Sequence, residues 1–229
     1  MLYYGPMPRP PRYLFLLPSI ALAGGVLCAA GPETLIDNDQ VRVLRVTDQP
    51  RDRHAPHQHP YNRVMIYLSA GRQEIVAADG NKTVLEFHPG EVRWSPATGI
   101  HTSEVVSDAP LGIIEIEIKK PGDPARTADC LLHPLRVAPR QATLEFENAQ
   151  VRVYRVKTGA GGTMPMHEHV VNKVSVNLTP LDERVTTAAG HVDTVQQPVS
   201  TAVWGGPVKH REENLAGAPM EAIVVELKN

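Results

Sequence analysis

The chain has 229 residues, a formal net charge of −2 at pH 7 and an aromatic content of only 5%. Arg9 and Arg12 are the only charged residues among the first thirty, so the remainder holds 21 basic against 25 acidic residues, or −4. This balance argues against a basic surface for nucleic acids or anionic membranes, and so few aromatics argue against a stacking platform for single strands.

The first thirty residues have the composition of a secretory signal peptide. Arg9 and Arg12 precede an apolar stretch over residues 13–27, and small residues follow over residues 28–30. This order is typical of a cleaved export signal, and the apolar run is shorter than the roughly 20 residues that a membrane span needs. We therefore predict export to the periplasm or the extracellular space. An uncleaved anchor and a lipoprotein cysteine at Cys28 are the alternatives.

A repeat of about 110 residues organises the rest of the chain. Residues 38–46 read NDQVRVLRV and residues 148–156 read NAQVRVYRV, while Trp94 returns as Trp204. Self-similarity over such a long period indicates two copies of one structural unit. The predicted organisation is a signal peptide, a first domain, a linker and a second domain: residues 1–30, 31–120, 121–142 and 143–229.

Each copy ends in a segment with strict two-residue alternation. In the first copy Ile114, Ile116 and Ile118 alternate with Glu115 and Glu117. Such alternation predicts a strand with one buried face. Short β-branched runs separated by turn residues fill most of the remaining sequence, and the linker has room for a single helical turn. We predict an all-β chain.

Each copy also carries three histidines in a repeated pattern. These are His57, His59 and His101 in the first copy and His167, His169 and His210 in the second. Residues two apart in a strand point to the same face, so the members of each His-x-His pair project side by side. A third imidazole from a neighbouring strand would complete a site for a divalent transition metal with open positions. The alternative, that these histidines only make local hydrogen bonds, is weakened by their recurrence.

The pattern resembles the two motifs of the cupin superfamily, and the tandem form resembles a bicupin. The first copy has Gly90 and Pro96 at the family spacing before its third histidine. The second copy has Gly162 before its His-x-His pair and Asn214 after its third histidine. The resemblance implies two tandem double-stranded β-helix (jelly-roll) barrels, each with a metal site in its mouth. The implied cofactor is a divalent transition metal, iron first, with zinc, nickel, copper or manganese as alternatives.

The glutamate that cupins carry shortly after His-x-His is missing from both copies. With three intervening residues its position holds Arg63 or Lys173, and with four it holds Val64 or Val174. By strand parity Arg63 and Lys173 point inward, where a cation would weaken metal binding and favour an anionic substrate. We therefore predict both as substrate-binding residues. The alternative is that both side chains extend to solvent at the rim.

The resemblance implies an exported metal-binding bicupin. Without the glutamate it is most similar to the three-histidine cupins, so a dioxygenase-type oxidoreductase acting on a small organic acid is our first hypothesis. The alternative is a non-catalytic bicupin that binds a small anion or a metal. We expect the first site to be the better metal site, because its second motif keeps the family's proline and glycine. The sequence singles out no catalytic residue, predicts no nucleic-acid partner and no stable membrane span, and is compatible with a homodimer.

Overall fold

The computed structural model describes residues 31–229, so the predicted signal segment over residues 1–30 lies outside the described part. The first half contains nine strands: β1 (Glu33–Asp37), β2 (Val41–Asp48), β3 (Arg53–His59), β4 (Asn62–Tyr67), β5 (Gly71–Ala77), β6 (Lys82–Phe87), β7 (Val92–Ser95), β8 (Thr98–Val105) and β9 (Leu111–Ile118). The second half contains α1 (Pro134–Val137), β10 (Ala142–Glu147), β11 (Val151–Thr158), β12 (Thr163–His169), β13 (Lys173–Asn177), β14 (Leu181–Thr187), β15 (Val192–Gln197), β16 (Ala202–Gly205), β17 (Val208–Asn214) and β18 (Met220–Leu227). The prediction of an all-β chain is confirmed.

Each half forms a jelly-roll barrel from two antiparallel sheets. The strand orders in barrel 1 are β1-β2-β9-β4-β7 and β3-β8-β5-β6. The orders in barrel 2 are β10-β11-β18-β13-β16 and β12-β17-β14-β15. Corresponding strands occupy corresponding places, and β2 beginning at Val41 is matched by β11 beginning at Val151. The predicted pair of tandem cupin barrels is therefore confirmed.

Reciprocal hydrogen bonds show that the two barrels are related by a pseudo-twofold operation. The amide of Asn62 donates to Gln150 Oε1 at 2.5 Å, and the amide of the equivalent Asn172 donates to Gln40 Oε1 at 2.8 Å. When residue i of one unit contacts residue j of the other and the equivalent j contacts the equivalent i, the interface has twofold symmetry. The repeat in the sequence is thus expressed both in the topology and in the way in which the copies meet.

The main hydrophobic core lies between the barrels, where the two five-stranded sheets pack face to face. Its buried members are Val41, Val43, Val64, Ile66, Ile114, Ile116, Ile118, Val151, Val153, Val174, Val176, Ile223, Val225 and Leu227. The prediction of one buried face for the last strand of each copy is wrong. Glu115 and Glu117 on the opposite face of β9 line the interior of barrel 1, and Glu117 is 3% exposed. Both faces of the strand are buried because one packs on the partner barrel.

The segment between β9 and β10 packs against barrel 2. Its helix α1 is a single turn with His133 at its N-cap, and the carbonyl of Leu132 accepts a hydrogen bond from the Glu168 N–H at 2.9 Å. Ala138 packs with Tyr154 and Met164. The segment therefore covers β12, the strand that carries the second His-x-His pair. Within residues 31–229 no helix is long and apolar enough to cross a bilayer.

Candidate metal centres

The structure brings together the three predicted histidines of barrel 1. His57 on β3 lies directly opposite His101 on β8, and their ring centroids are 4.5 Å apart. The ring of His59 lies 5.0 Å from that of His57 and 5.2 Å from that of His101. One nitrogen from each ring can be chosen so that all three lie within 4.8 Å of one another. This spacing is compatible with a single metal ion between them.

Barrel 2 assembles its three histidines in nearly the same way. His167 on β12 lies opposite His210 on β17, with ring centroids 4.4 Å apart. His169 completes the group at 5.1 Å from the first ring and 5.5 Å from the second. The two triads differ in burial, because all three side chains are buried in barrel 2 and only partly buried in barrel 1.

Backbone carbonyls orient several of these rings. His57 Nδ1 donates to the carbonyl of Ala55 at 2.8 Å, and His167 Nδ1 donates to that of Pro165 at 2.9 Å. A proton held on Nδ1 leaves Nε2 with its lone pair free to bind a metal. His210 Nε2 is buried and has no hydrogen-bond partner in the described part of the chain. An orphaned ring nitrogen among two other imidazoles fits a metal ligand.

A buried carboxylate supports the triad of barrel 2. Glu226 Oε1 accepts from His169 Nδ1 at 2.9 Å, and Glu226 Oε2 accepts from His133 Nε2 at 2.9 Å. The hydroxyl of Tyr154 lies 3.4 Å from the same carboxylate. The hydrogen bonds from His133 and His169 hold the pKa of Glu226 at about 2 despite its burial, so it stays ionised. A carboxylate behind a histidine fixes the ring and raises its basicity as a metal ligand.

In barrel 1 the group that contacts the equivalent histidine carries the opposite charge. Arg63 Nη1 lies 2.9 Å from Nδ1 and 3.1 Å from Nε2 of His59, the counterpart of His169. Glu117, the counterpart of Glu226, instead accepts from Arg42 at 2.6 and 3.0 Å. The ring of His59 therefore faces a guanidinium rather than a carboxylate. A fixed positive charge at this ring opposes a divalent cation.

The inward orientation predicted for Arg63 and Lys173 is observed, with exposures of 6% and 8%. Arg63 forms an ion pair with Glu115 at 3.1 Å and donates to Ser95 Oγ at 3.0 Å. Lys173 forms no ion pair among the described residues, and its hydrogen bond is to the Gly206 carbonyl at 3.3 Å. Arg63 therefore has a carboxylate partner at ion-pair distance, whereas Lys173 has none among the described residues.

Burial keeps His59, His169 and His210 neutral, which is the form that binds a metal. It is the largest cause that lowers the pKa of His169 to about 4 and that of His210 to about 2. The same cause lowers the pKa of His59 to about 3, with Arg63 as the next contributor. At neutral pH none of these three rings must lose a proton to accept a metal.

Sequence reasoning missed the residues that distinguish the two sites. The two-residue alternation does place Tyr154 and Glu226 on the inward side of their strands, but it does not predict which side chains they contact. His133 has no counterpart in the first copy, yet it is 1% exposed and bonded to Glu226. Glu213, three residues after His210, points away from the site, since its side chain is 40% exposed and pairs with Arg184.

The fold has clear relatives among solved structures. AerE from Microcystis aeruginosa shares 12% identity at a TM-score of 0.60, covering 86% of this chain and 97% of that one. A mutant of Bacillus subtilis oxalate decarboxylase OxdC shares 11% identity at 0.60, covering 86% and 72%. Another Bacillus subtilis oxalate decarboxylase structure, described by its Mn(II) centres, shares 11% identity at 0.57, covering 84% and 70%. No protein-family model and no curated protein matches the sequence.

At these identities the likeness concerns the fold alone, because one fold carries many chemistries. Taken with the two matching sheet orders, it defines the fold. The chain has the two-barrel fold of a bicupin, and each barrel holds a three-histidine group without the glutamate of the cupin motif.

Proposed function

We propose that this protein is an exported bicupin that binds a divalent transition metal in barrel 2 and a small organic anion beside it. The observation that carries the proposal is the buried triad of His167, His169 and His210, with Glu226 behind one ring. A bound divalent metal would supply open coordination positions and Lewis acidity for an anionic substrate. Lys173, which is buried at the same mouth without an ion-pair partner, supports the choice of an anion.

This proposal reverses the sequence-based expectation that the first site is the better one. That expectation rested on Gly90 and Pro96, which shape the backbone and contribute no charge. Barrel 1 places the guanidinium of Arg63 against His59, whereas barrel 2 places the carboxylate of Glu226 against His169. We propose that barrel 1 packs against barrel 2 and holds metal weakly. One functional barrel supported by a second, weakly metal-binding one is therefore our proposal.

Three neutral imidazoles favour a class of metal, the divalent transition ions, and do not distinguish iron from zinc, nickel, copper or manganese. Oxidation of a small organic acid by a dioxygenase-type reaction stays our proposal for the activity, and simple anion binding is the alternative. We expect metal analysis of the full chain, purified without added metal, to find about one tight equivalent rather than two. Oxygen uptake with a panel of small acids then tests the reaction. Protein that binds no divalent metal on titration would contradict the metal site itself.

The carboxylate behind His169 offers a matched test of this assignment. We expect Glu226→Gln to weaken metal binding by about tenfold, because changes to such supporting groups typically cost 10- to 100-fold. Glu117→Gln changes the equivalent carboxylate of barrel 1, which binds Arg42, and should leave the tight equivalent unchanged. Competition with a fluorescent chelator measures both affinities. An equal loss in the two variants would mean that the tight metal is not in barrel 2.

We also propose that the protein is exported and that the segment over residues 1–30 is removed. The supporting observation is its composition, with Arg9 and Arg12 before an apolar run that ends in small residues. Mass spectrometry of the protein recovered from its native cell should show an N-terminus near residue 31 in an extracytoplasmic fraction. An intact Met1 species in the cytoplasm would contradict export.

A further inference from the structure

The linker between β9 and β10 reaches the candidate metal site of barrel 2 through one buried side chain. His133 is 1% exposed, and its Nε2 donates to Glu226 Oε2 at 2.9 Å. The other oxygen of Glu226 accepts from His169 Nδ1, also at 2.9 Å, and Glu226 itself is completely buried. A residue of the linker and a candidate metal ligand therefore share one carboxylate.

The cap of helix α1 fixes which nitrogen of His133 carries the proton. The Leu135 N–H donates to His133 Nδ1 at 3.2 Å, which is the N-cap contact of the helix. A ring nitrogen that accepts a hydrogen bond holds a lone pair, so the proton lies on Nε2, which donates it to Glu226. Glu226 also accepts the Nδ1 proton of His169, which leaves Nε2 of that ring with its lone pair for a metal. An unbroken row of hydrogen bonds thus joins the helix cap to the ring of His169.

Barrel 1 satisfies the equivalent carboxylate from within its own sheet. Glu117 lies opposite Arg42 in the pairing of β9 with β2 and accepts from that side chain at 2.6 and 3.0 Å. In barrel 2 the equivalent Arg152 lies opposite Glu226 but donates to Glu147 instead, at 3.0 Å. Glu226 therefore has imidazole donors in place of a guanidinium, and one of them comes from the linker.

Further contacts hold the linker on β12, which is an edge strand of its sheet. The Glu168 N–H donates to the Leu132 carbonyl at 2.9 Å, and the Cys130 thiol donates to the Glu168 carbonyl at 3.5 Å. Glu168 lies between His167 and His169 in the sequence. Both backbone polar groups of the residue between two candidate ligands are thus bound by the linker.

We propose that His133 is a positioning residue for the metal site of barrel 2, and that docking of the linker and binding of the metal are therefore coupled. The inference rests on the proposed function and names a means by which that site is regulated. With the linker docked, Glu226 is held between His133 and His169, and the ring of His169 is fixed. A metal that binds this arrangement more tightly must stabilise the docked linker by the same factor, because coupling between two binding equilibria is reciprocal.

Two substitutions separate the two contacts of His133. Asparagine is a favoured N-cap residue whose Oδ1 can accept from the Leu135 N–H, but its side chain is too short to reach Glu226. Glutamine is longer, and its amide can donate to Glu226 in place of the imidazole Nε2. We expect His133→Asn to weaken Zn²⁺ binding by about tenfold, within the loss typical of groups behind a ligand, and His133→Gln to recover most of it.

Competition between the full chain and a fluorescent chelator for Zn²⁺ measures these affinities. Arg136→Ala is the control, because it breaks an exposed ion pair of the same helix with Asp129, at 3.1 Å, and should leave the affinity unchanged. Wild-type affinity in His133→Asn would overturn the inference. Equal losses in His133→Asn and His133→Gln would assign the histidine to packing alone and would also overturn it.

A double variant tests whether His133 acts through Glu226. Two residues in one hydrogen-bonded row have effects that do not add. His133→Asn should therefore cost much less Zn²⁺ affinity in a Glu226→Gln background than in the wild type. Equal losses in the two backgrounds would mean that His133 does not position the ligand through this carboxylate.

Hydrogen exchange of the wild-type chain tests the coupling without any variant. The amides of Val137 and Ala138 donate to the carbonyls of His133 and Pro134, so they report opening of the linker. Zn²⁺ should slow their exchange by about tenfold, the factor that reciprocity requires. The Gly190 amide, in the turn between β14 and β15 of the same barrel, is the control and should change little. No slowing in the linker, or equal slowing at Gly190, would contradict a specific coupling.

The outcomes separate this inference from the proposed function. A protein that binds Zn²⁺ in barrel 2 but keeps its affinity in His133→Asn and its exchange in the linker retains the proposed site and loses the coupling. A protein that binds no divalent metal contradicts the proposed function and the coupling together. Thermal unfolding of the metal-free variants identifies misfolding, and the exchange experiment on the wild type holds even if a variant fails to fold.

Discussion

Replacing His169 with alanine should remove the tight metal equivalent from this protein, whereas the equivalent change at His59 should leave it in place. The reason is the partner of each ring. His169 is held by the buried carboxylate of Glu226 at 2.9 Å, and His59 faces the guanidinium of Arg63 at 2.9 Å. Loss of a ligand should cost more than the roughly 10- to 100-fold that changes behind a ligand cost.

Metal content by elemental analysis, followed by titration against a chelator, measures this prediction. The wild type and the His59→Ala variant should each retain about one equivalent, and His169→Ala should retain none. Thermal unfolding of the three metal-free proteins controls for misfolding. The reverse outcome, with His59→Ala losing the tight metal, would place the main site in barrel 1 and restore the sequence-based expectation.

Replacing Arg63 with alanine should destabilise barrel 1 strongly and at the same time improve its metal site. The side chain of Arg63 is 7% exposed and that of its partner Glu115 is 12% exposed. Removing one member of a buried pair leaves an uncompensated charge and typically costs about 3–5 kcal/mol. The same change removes the positive charge beside His59, so a second equivalent of metal should bind.

Urea unfolding measures the stability, with two comparisons that isolate the cause. The double variant Arg63→Ala with Glu115→Ala should recover part of the loss, because it leaves no unpaired carboxylate. Arg184→Ala breaks an exposed pair of 2.7 Å, in which both side chains are at least 40% exposed, and should cost under about 1 kcal/mol. Equal small losses for Arg63→Ala and Arg184→Ala would contradict the burial argument. If Arg63→Ala binds no second equivalent of metal, the argument that the charge of Arg63 opposes metal binding at His59 is wrong.

The architecture could be predicted because the patterns that determine it are visible in the sequence itself. The 110-residue repeat implied two equal units, and the alternation around Ile116 implied a β-strand. Strand parity also brought His57 and His59 to one face and turned Arg63 inward, as the structure has them. Each of these inferences uses a period of two residues or a repeat along one chain, and both are local properties of the backbone.

The burial of the glutamates on β9 could not be predicted in this way. Alternation indicates that a strand has one apolar and one polar face, and the polar face is usually expected to be exposed to solvent. Here the apolar face of Ile116 packs on the second barrel, so the polar face of Glu117 becomes the interior of its own barrel. The expectation failed because the two barrels pack through residues that lie far apart in the sequence, and local alternation does not report such contacts.

The sequence by itself determined which kind of protein this is: two β-barrels, six histidines in two equivalent groups, and no glutamate at the motif position. Only the tertiary structure decided that the two groups are chemically unequal. The ring of His169 meets Glu226, 57 residues further along the chain, and that carboxylate meets His133 of the linker, 93 residues before it. Such partners are set by how strands and linker pack, and electrostatics at a ring nitrogen depends on distances of a few ångströms that no spacing in a sequence contains.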